Sequence, residues 1–163
     1  MGLNDISIRT ELKPGDIGYL VLMHGALYEK EYHYGVQFEA YVAEGMAEFY
    51  RQYDGKKDRV WIAEHEGRMV GFVLIMHRGE AAQLRYFIVD PAYRGIGLGK
   101  KLMELCMEFV QERGYPSCFL WTTSDLPTAI SIYLNHGFIL VEEKKSNAFA
   151  TPVVEQRYER LFT

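Results

Sequence analysis

The chain is poor in cysteine, has no surplus of positive charge and contains no long apolar run. Its two cysteines, Cys106 and Cys118, have no metal-ligand spacing and point to reduced, buried thiols. The five histidines, at 24, 33, 65, 77 and 136, show no i,i+4 pair and no cysteine partner, so no metal site is expected. No segment approaches the apolar length that spans a bilayer. A net charge of −4 argues against nonspecific nucleic-acid binding. No secretory signal precedes Ile6, and Met1-Gly2 lacks the Ser or Thr at position six that myristoylation asks for. The expectation is a soluble cytoplasmic protein with neither a nucleic-acid nor a membrane partner.

What is present fits one globular domain over residues 1–163. Hydrophobic residues make up 48% and charged residues 25% of the chain, with 12 Tyr, 9 Phe and 2 Trp. Ile6 to Arg9 alternates and reads as a first strand. Lys13-Pro14-Gly15-Asp16 is a turn that offers Asp16 as a helix N-cap. Ile17, Leu20, Val21, His24 and Tyr28 then share one helical face, and Tyr32-His33-Tyr34-Gly35 ends that helix. A second helix aligns Phe38, Tyr41, Val42, Met46, Phe49 and Tyr53. Three strands follow, Val60 to His65, Arg68 to His77 and Ala82 to Val89, joined at Glu66-Gly67 and Arg78-Gly79-Glu80. A helix from about Leu98 buries Leu102, Leu105, Cys106 and Phe109 and is capped by Gly114. A strand over Ser117 to Thr122, a helix over Leu126 to His136, and strands over Phe138 to Glu143 and Val153 to Arg160 complete the order β-α-α-β-β-β-α-β-α-β-β. This predicts an α/β mixed sheet with helices on both faces, and a right-handed crossover through the helix at Leu98.

The segment richest in chemistry is Arg85-Tyr-Phe-Ile-Val-Asp-Pro-Ala-Tyr-Arg-Gly-Ile-Gly-Leu-Gly99. An apolar strand is stopped by Asp90-Pro91, and Arg94, Gly95, Gly97 and Gly99 lead into a helix. The first amides of a helix have no internal partner and sit at the positive end of its dipole. Glycines let a phosphate approach those amides. The spacing does not match the Gly-x-Gly-x-x-Gly of a dinucleotide site. Gly99-Lys100-Lys101 lacks the hydroxyl of a P-loop.

Arg-x-x-Gly-x-Gly, read at Arg94, Gly97 and Gly99, resembles the acetyl-coenzyme A pyrophosphate loop of the GNAT N-acetyltransferase superfamily. Tyr133-Leu-Asn-His-Gly-Phe138 resembles the Tyr-x-x-x-Gly-Phe that closes the last helix of that family. The resemblance runs from about Ile6 to Phe162 and implies the GNAT-like acyl-CoA N-acyltransferase fold. It also implies acetyl transfer from acetyl-CoA to a primary amine. The family places the coenzyme's pantetheine arm against the backbone of the fourth strand, here Phe87, Ile88 and Val89. It places the pyrophosphate on Arg94, Gly95, Ile96, Gly97, Leu98 and Gly99, with Lys100 within reach. Tyr133 matches the usual general acid, which returns a proton to the departing thiolate.

Two positions depart from the family pattern. The glutamate frequent early in the fourth strand corresponds to Gln83, which cannot take a proton. The asparagine often found seven residues before the tyrosine corresponds to Leu126, so Thr123, Ser124 or Asp125 is left to contact the coenzyme. His24 and Glu31 are conceivable proton acceptors beside a water relay.

The acceptor side in such a fold lies under the first two helices and their connection. Tyr28, Tyr32, Tyr34 and Phe38, with Glu29 and Glu31 among them, offer aromatic faces and carboxylates suited to a cationic amine. Arg85 and Trp121 are the alternative contacts, Arg85 for an acceptor that bears a carboxylate. The expected partner is a small-molecule amine, with a protein amine or a non-catalytic acyl-CoA sensor as alternatives; a homodimer is allowed. His24 to Tyr28, Trp61 to Glu64 and Leu120 to Thr122 also resemble acetyltransferase domains fused behind MarR-type regulators, which predicts a stand-alone version of that domain.

Overall fold

The computed structural model describes all residues, 1–163. Seven strands form one sheet: β1 (Ser7–Arg9), β2 (Arg59–His65), β3 (Arg68–Arg78), β4 (Ala81–Val89), β5 (Ser117–Thr123), β6 (Ile139–Ser146) and β7 (Val153–Leu161). Their order across the sheet is β1-β2-β3-β4-β5-β7-β6. Every neighbouring pair is antiparallel except β4 and β5. The helices are α1 (Asp16–Tyr32), α2 (Gly35–Arg51), α3 (Leu98–Glu112) and α4 (Pro127–Asn135). The predicted element order therefore holds throughout.

The central strand β3 shows why the sheet is covered on both faces. Val70 through Met76 are all fully buried or nearly so, as a two-sided strand requires. Successive side chains alternate between two cores. Val73 and Ile75 join Leu98, Leu102, Cys106 and Phe109 of α3. Phe72, Leu74 and Met76 join Leu20 of α1 and Phe38, Val42, Met46 and Phe49 of α2. Sites between α1–α2 and the sheet are thus separated by the sheet itself from α3.

Several local readings change. Gly15, at φ +95°, occupies the N-cap of α1, and Asp16 is its first residue. The Asp16 carboxylate accepts from the Lys13 amide at 2.6 Å and pairs with Arg9 at 2.7 Å, tying β1 to α1. Burial would raise its pKa, but the bonds from Arg9 and Lys13 win and hold the carboxyl below the usual range. Helix α1 runs on through Tyr32 before turning at His33, at φ +59°. Tyr41 and Tyr53, aligned with the apolar face of α2, are exposed, and Tyr53 lies past the helix end. Helix α4 starts at Pro127 with Leu126 as its cap. Phe138 is buried in the turn before β6, and β6 extends to Ser146.

Candidate active site

The glycine segment builds a backbone cradle at the start of α3. Gly95 and Gly97 have φ +80° and +87°, in the left-handed region where a side chain is strained. A Cβ on either would meet nothing within 4 Å, so the space above the loop is open. Gly97 is the N-cap of α3; no side chain caps that end and no acidic residue lies in the first turn. The amides of Leu98, Gly99 and Lys100 are therefore free to hold an anion. Gly99 has a different task. A Cβ there would press to 3.3 Å against Ile132 of α4 and Phe87 of β4, so this glycine sets how closely α3 approaches both. Open space, free amides and the absence of a competing carboxylate on α3's first turn fit a pyrophosphate. Lys100 is exposed and lies 3.9 Å from Glu104.

Arg94 and Glu31 meet across this loop. The Arg94 guanidinium bonds Glu31 at 2.9 Å, which holds the arginine's pKa above its ordinary value. Glu31, expected in the acceptor pocket, thus stands beside the coenzyme loop and does not line the cavity described next. Tyr32 lies with it, outside that lining.

Beside the cradle the sheet opens. Strands β4 and β5 pair only at Ala82–Cys118 and Gln83–Phe119, and beyond those pairs they part. Here β4 also carries a bulge. Leu74 faces Arg85 and Phe72 faces Ile88, so Val73 alone stands opposite Tyr86 and Phe87. Tyr86 takes φ +59°, rare for an aromatic residue. The extra residue interrupts the alternation. Arg85 bonds the Tyr41 hydroxyl of α2 at 3.1 Å, and Tyr86 also packs on the α1–α2 side. Phe87 turns the other way, its ring 6.0 Å from that of Tyr133. Ile88 is buried in the α1–α2 core, so only its backbone faces the opening.

The opening leads into a cavity of about 120 Å³. Tyr28, Tyr34, Phe38, Tyr41, Tyr86, Phe87, Trp121, Tyr133 and Phe149 form most of its wall. Tyr28 and Phe38 stack at 4.6 Å, and Tyr34 and Phe149 at 5.1 Å. The Tyr34 hydroxyl bonds Thr123 at 2.7 Å and Asp125 at 2.8 Å. Two of the three residues expected to replace the missing asparagine are therefore tied to α2's N-cap tyrosine. Gln83 accepts from Arg78 at 2.7 Å and is nearly buried. Tyr133 is 5% exposed, and burial pushes its pKa well above the usual phenol value, keeping the hydroxyl protonated. Its chain neighbour Leu134 points to solvent, so the helical turn does not bury the two together.

His24 also lines the cavity. Its Nδ1–H donates to the Leu20 carbonyl at 3.0 Å, which leaves Nε2 as the acceptor. Complete burial lowers its pKa to about 4, so the ring is neutral at physiological pH.

The family model for the acetyltransferase (GNAT) family matches residues 26–138, more than half of the chain and both motif segments. The chain belongs to the GNAT acetyltransferase family. An uncharacterized N-acetyltransferase of Escherichia coli K12, YjgM, is 36% identical over 95 residues, covering 56% of this chain and 57% of that protein. The chain spans about half the length of the curated relatives it matches. An acetyltransferase structure from Streptococcus agalactiae superposes with a TM-score of 0.81 at 22% identity, covering 98% of this chain and 100% of that one. The PaiA N-acetyltransferase of Thermoplasma acidophilum, solved with coenzyme A, gives 0.71 at 16% identity, covering 96% and 99%. At these identities the structures show the fold, and they agree with the GNAT fold expected from the two motifs.

Sequence reasoning missed Tyr41, Tyr86, Phe149 and Glu155 as cavity residues. Val153 and Glu155 alternate on β7, which could have placed Glu155 on the α1–α2 side. Nothing in Arg85-Tyr86-Phe87 marks the bulge, because no Gly or Pro stands there.

Proposed function

We propose that the protein is an acetyl-CoA-dependent N-acetyltransferase that acts on a primary amine of a small molecule. One observation carries this reading. The gap between β4 and β5 lies between an uncapped helix N-terminus and an aromatic cavity that holds a protonated tyrosine. Acetyl-coenzyme A supplies the activated acetyl group: an N–C bond forms as the C–S bond breaks, the ammonium gives up two protons, and the thiolate takes one.

The residues divide this work. Gly95, Gly97 and the α3 amides would hold the pyrophosphate, with Ile96 and Leu98 flanking and Arg94 beside them. The β4 backbone from Phe87 to Val89, unpaired on its β5 side, would hold the pantetheine amides. Tyr133 Oη is the proton donor for sulfur. His24 Nε2 and the Glu155 carboxylate are the two candidate proton acceptors among the cavity's side chains, and burial makes His24 a weak base. Aromatic walls exclude water from the reacting atoms.

A small acceptor is favoured because the cavity is narrow and walled by side chains from α1, α2, β4, β5 and α4. The test is a thermal titration. Acetyl-coenzyme A should raise Tm, and the rise should grow with the logarithm of ligand concentration above its Kd, by mass action on the folded state. No shift at millimolar acetyl-coenzyme A would refute the reading.

A further inference from the structure

The charged groups of the cavity are not balanced against each other. Arg85 and Glu155 are its only lining residues that carry full charge, since His24 is neutral. Neither has a carboxylate or ammonium partner within ion-pair distance. The single polar contact of the Arg85 guanidinium is the neutral Tyr41 hydroxyl. Its Cζ lies 4.7 Å from the centre of the Tyr86 ring and 5.6 Å from that of Tyr41. Two aromatic faces thus fix the direction of the guanidinium without neutralising it. Glu48 of α2, a carboxylate in the same neighbourhood, is already held by Arg78 at 2.8 Å. Strand alternation puts Arg85 here, since the preceding residue Leu84 faces the α3 core; the bulge then brings Tyr86 to the same face.

The positions of the two charges are ordered along the strands. Gln83 stands level with Phe119, and Thr123 stands level with Glu155. Glu155 therefore lies two residues further toward the C-terminal ends than Arg85, about 7 Å at the rise of a strand. That is the end where β4 and β5 part and where Phe87 and Tyr133 sit. A cation placed by Glu155 would be at the reacting end, and an anion placed by Arg85 would be behind it.

We infer that the acceptor is an amine that also carries a carboxylate, of the amino-acid type with an apolar body. Its amine lies toward Glu155 and the strand gap, and its carboxylate is bound by Arg85. This rests on the acetyltransferase reading above and goes beyond it in naming the acceptor class. A planar guanidinium accepts a carboxylate through two parallel bonds, which an amide or a bare alkyl group cannot supply. The aromatic wall takes the apolar body. A polyamine would bring a second cation against Arg85 and is selected against.

The test uses matched acceptors that differ only at the carboxylate: L-phenylalanine, L-phenylalaninamide and 2-phenylethylamine, and the corresponding leucine set. Transfer is followed as kcat/KM, and binding to the coenzyme A-saturated protein by calorimetry. Wild type should favour the free acids by roughly 10- to 100-fold, the range for a hydrogen-bonded charge pair. Arg85→Gln should abolish that preference in both readouts, leaving the amides within about threefold of wild type, and Arg85→Lys should restore part of it. Equal use of acid and amide by wild type overturns the inference, as does an Arg85→Gln variant of unchanged Tm that loses both equally. Transfer to the amides or bare amines but not to the acids also overturns it, while leaving the acetyltransferase reading intact. Transfer to no amine, with acetyl-coenzyme A still raising Tm, overturns both.

Discussion

The two halves of the candidate site are made of different material. On the proposed coenzyme side the groups on offer are backbone: open amides at the start of α3, two left-handed glycines, and a strand edge released by the parting of β4 and β5. On the acceptor side they are side chains, drawn from α1, α2, β4, β5, α4 and β7, with Phe149 between strands. A backbone site depends on local conformation and can be written in a few consecutive residues. A side-chain site depends on which distant elements the fold brings together. The first is suited to a ligand shared by many enzymes, and the second to one that differs among them.

The sharpest way to break this contrast is at the cradle. Gly97→Glu should remove the Tm rise caused by acetyl-coenzyme A, because it sets bulk and negative charge where the phosphates belong. Any side chain at φ +87° is strained, so Gly97→Ala is the companion variant: it carries the same backbone cost without the charge. Retained coenzyme binding in Gly97→Glu would move the pyrophosphate elsewhere.

Tyr133 joins the halves, so its variant should affect chemistry and not grip. Tyr133→Phe keeps the ring against Phe87, Phe138 and Tyr158 and deletes the proton. We expect kcat to fall by about 10²-fold with little change in coenzyme Kd. An unchanged kcat would reduce this tyrosine to a packing residue.

On the acceptor side, His24 should report burial through pH. Its pKa in the folded protein, about 4, is below the unfolded value of 6.5. Between these values the unfolded chain binds more protons, so stability from this group is present above pH 6.5 and is lost as pH falls toward 4. The full effect is roughly 3 kcal/mol. His24→Phe should therefore lose less Tm than wild type between pH 6.5 and 4. Parallel curves would mean that the ring is not sealed as described.

The smallest expected effect concerns Glu31, which sequence reasoning assigned to the acceptor and which instead faces Arg94. Half-exposed ion pairs are worth less than about 1 kcal/mol. Glu31→Gln should lower the KM for acetyl-coenzyme A by about twofold, since it removes a competitor for the guanidinium, and leave the KM for the amine alone. A rise confined to the amine KM would return Glu31 to the acceptor pocket.

The same contrast explains what the sequence could reveal. Element order was readable because hydrophobic period and turn residues act locally; the α3 core residues Leu102, Cys106 and Phe109 follow from the helical period. The open loop before α3 was readable because Arg94, Gly95, Gly97 and Gly99 fall within six residues, with Gly95 and Gly97 at positive φ and Gly99 in close packing. Tyr133 was readable from its motif. The cavity was readable only in part: Tyr28, Arg85 and Trp121 do line it, but Tyr41, Phe149 and Glu155 converge on them only in three dimensions. Arg85 was named only as an alternative contact; that Arg85 and Tyr86 share a face depends on the bulge, which no residue type signals. Asp16 looked like a cap for a sound reason, but its bond to Arg9 across the β1–α1 turn was a tertiary choice.

The central claim is that the cradle and the cavity form one reacting site. The direct measurement is mass spectrometry of the acceptors incubated with acetyl-coenzyme A and protein, alongside free thiol release. An amine product heavier by one acetyl group, formed in equal amount with coenzyme A and lost in Gly97→Glu, is the expected result. Coenzyme binding and stabilisation with no acetylated amine from any acceptor would contradict it and leave a protein that binds the coenzyme without transferring from it.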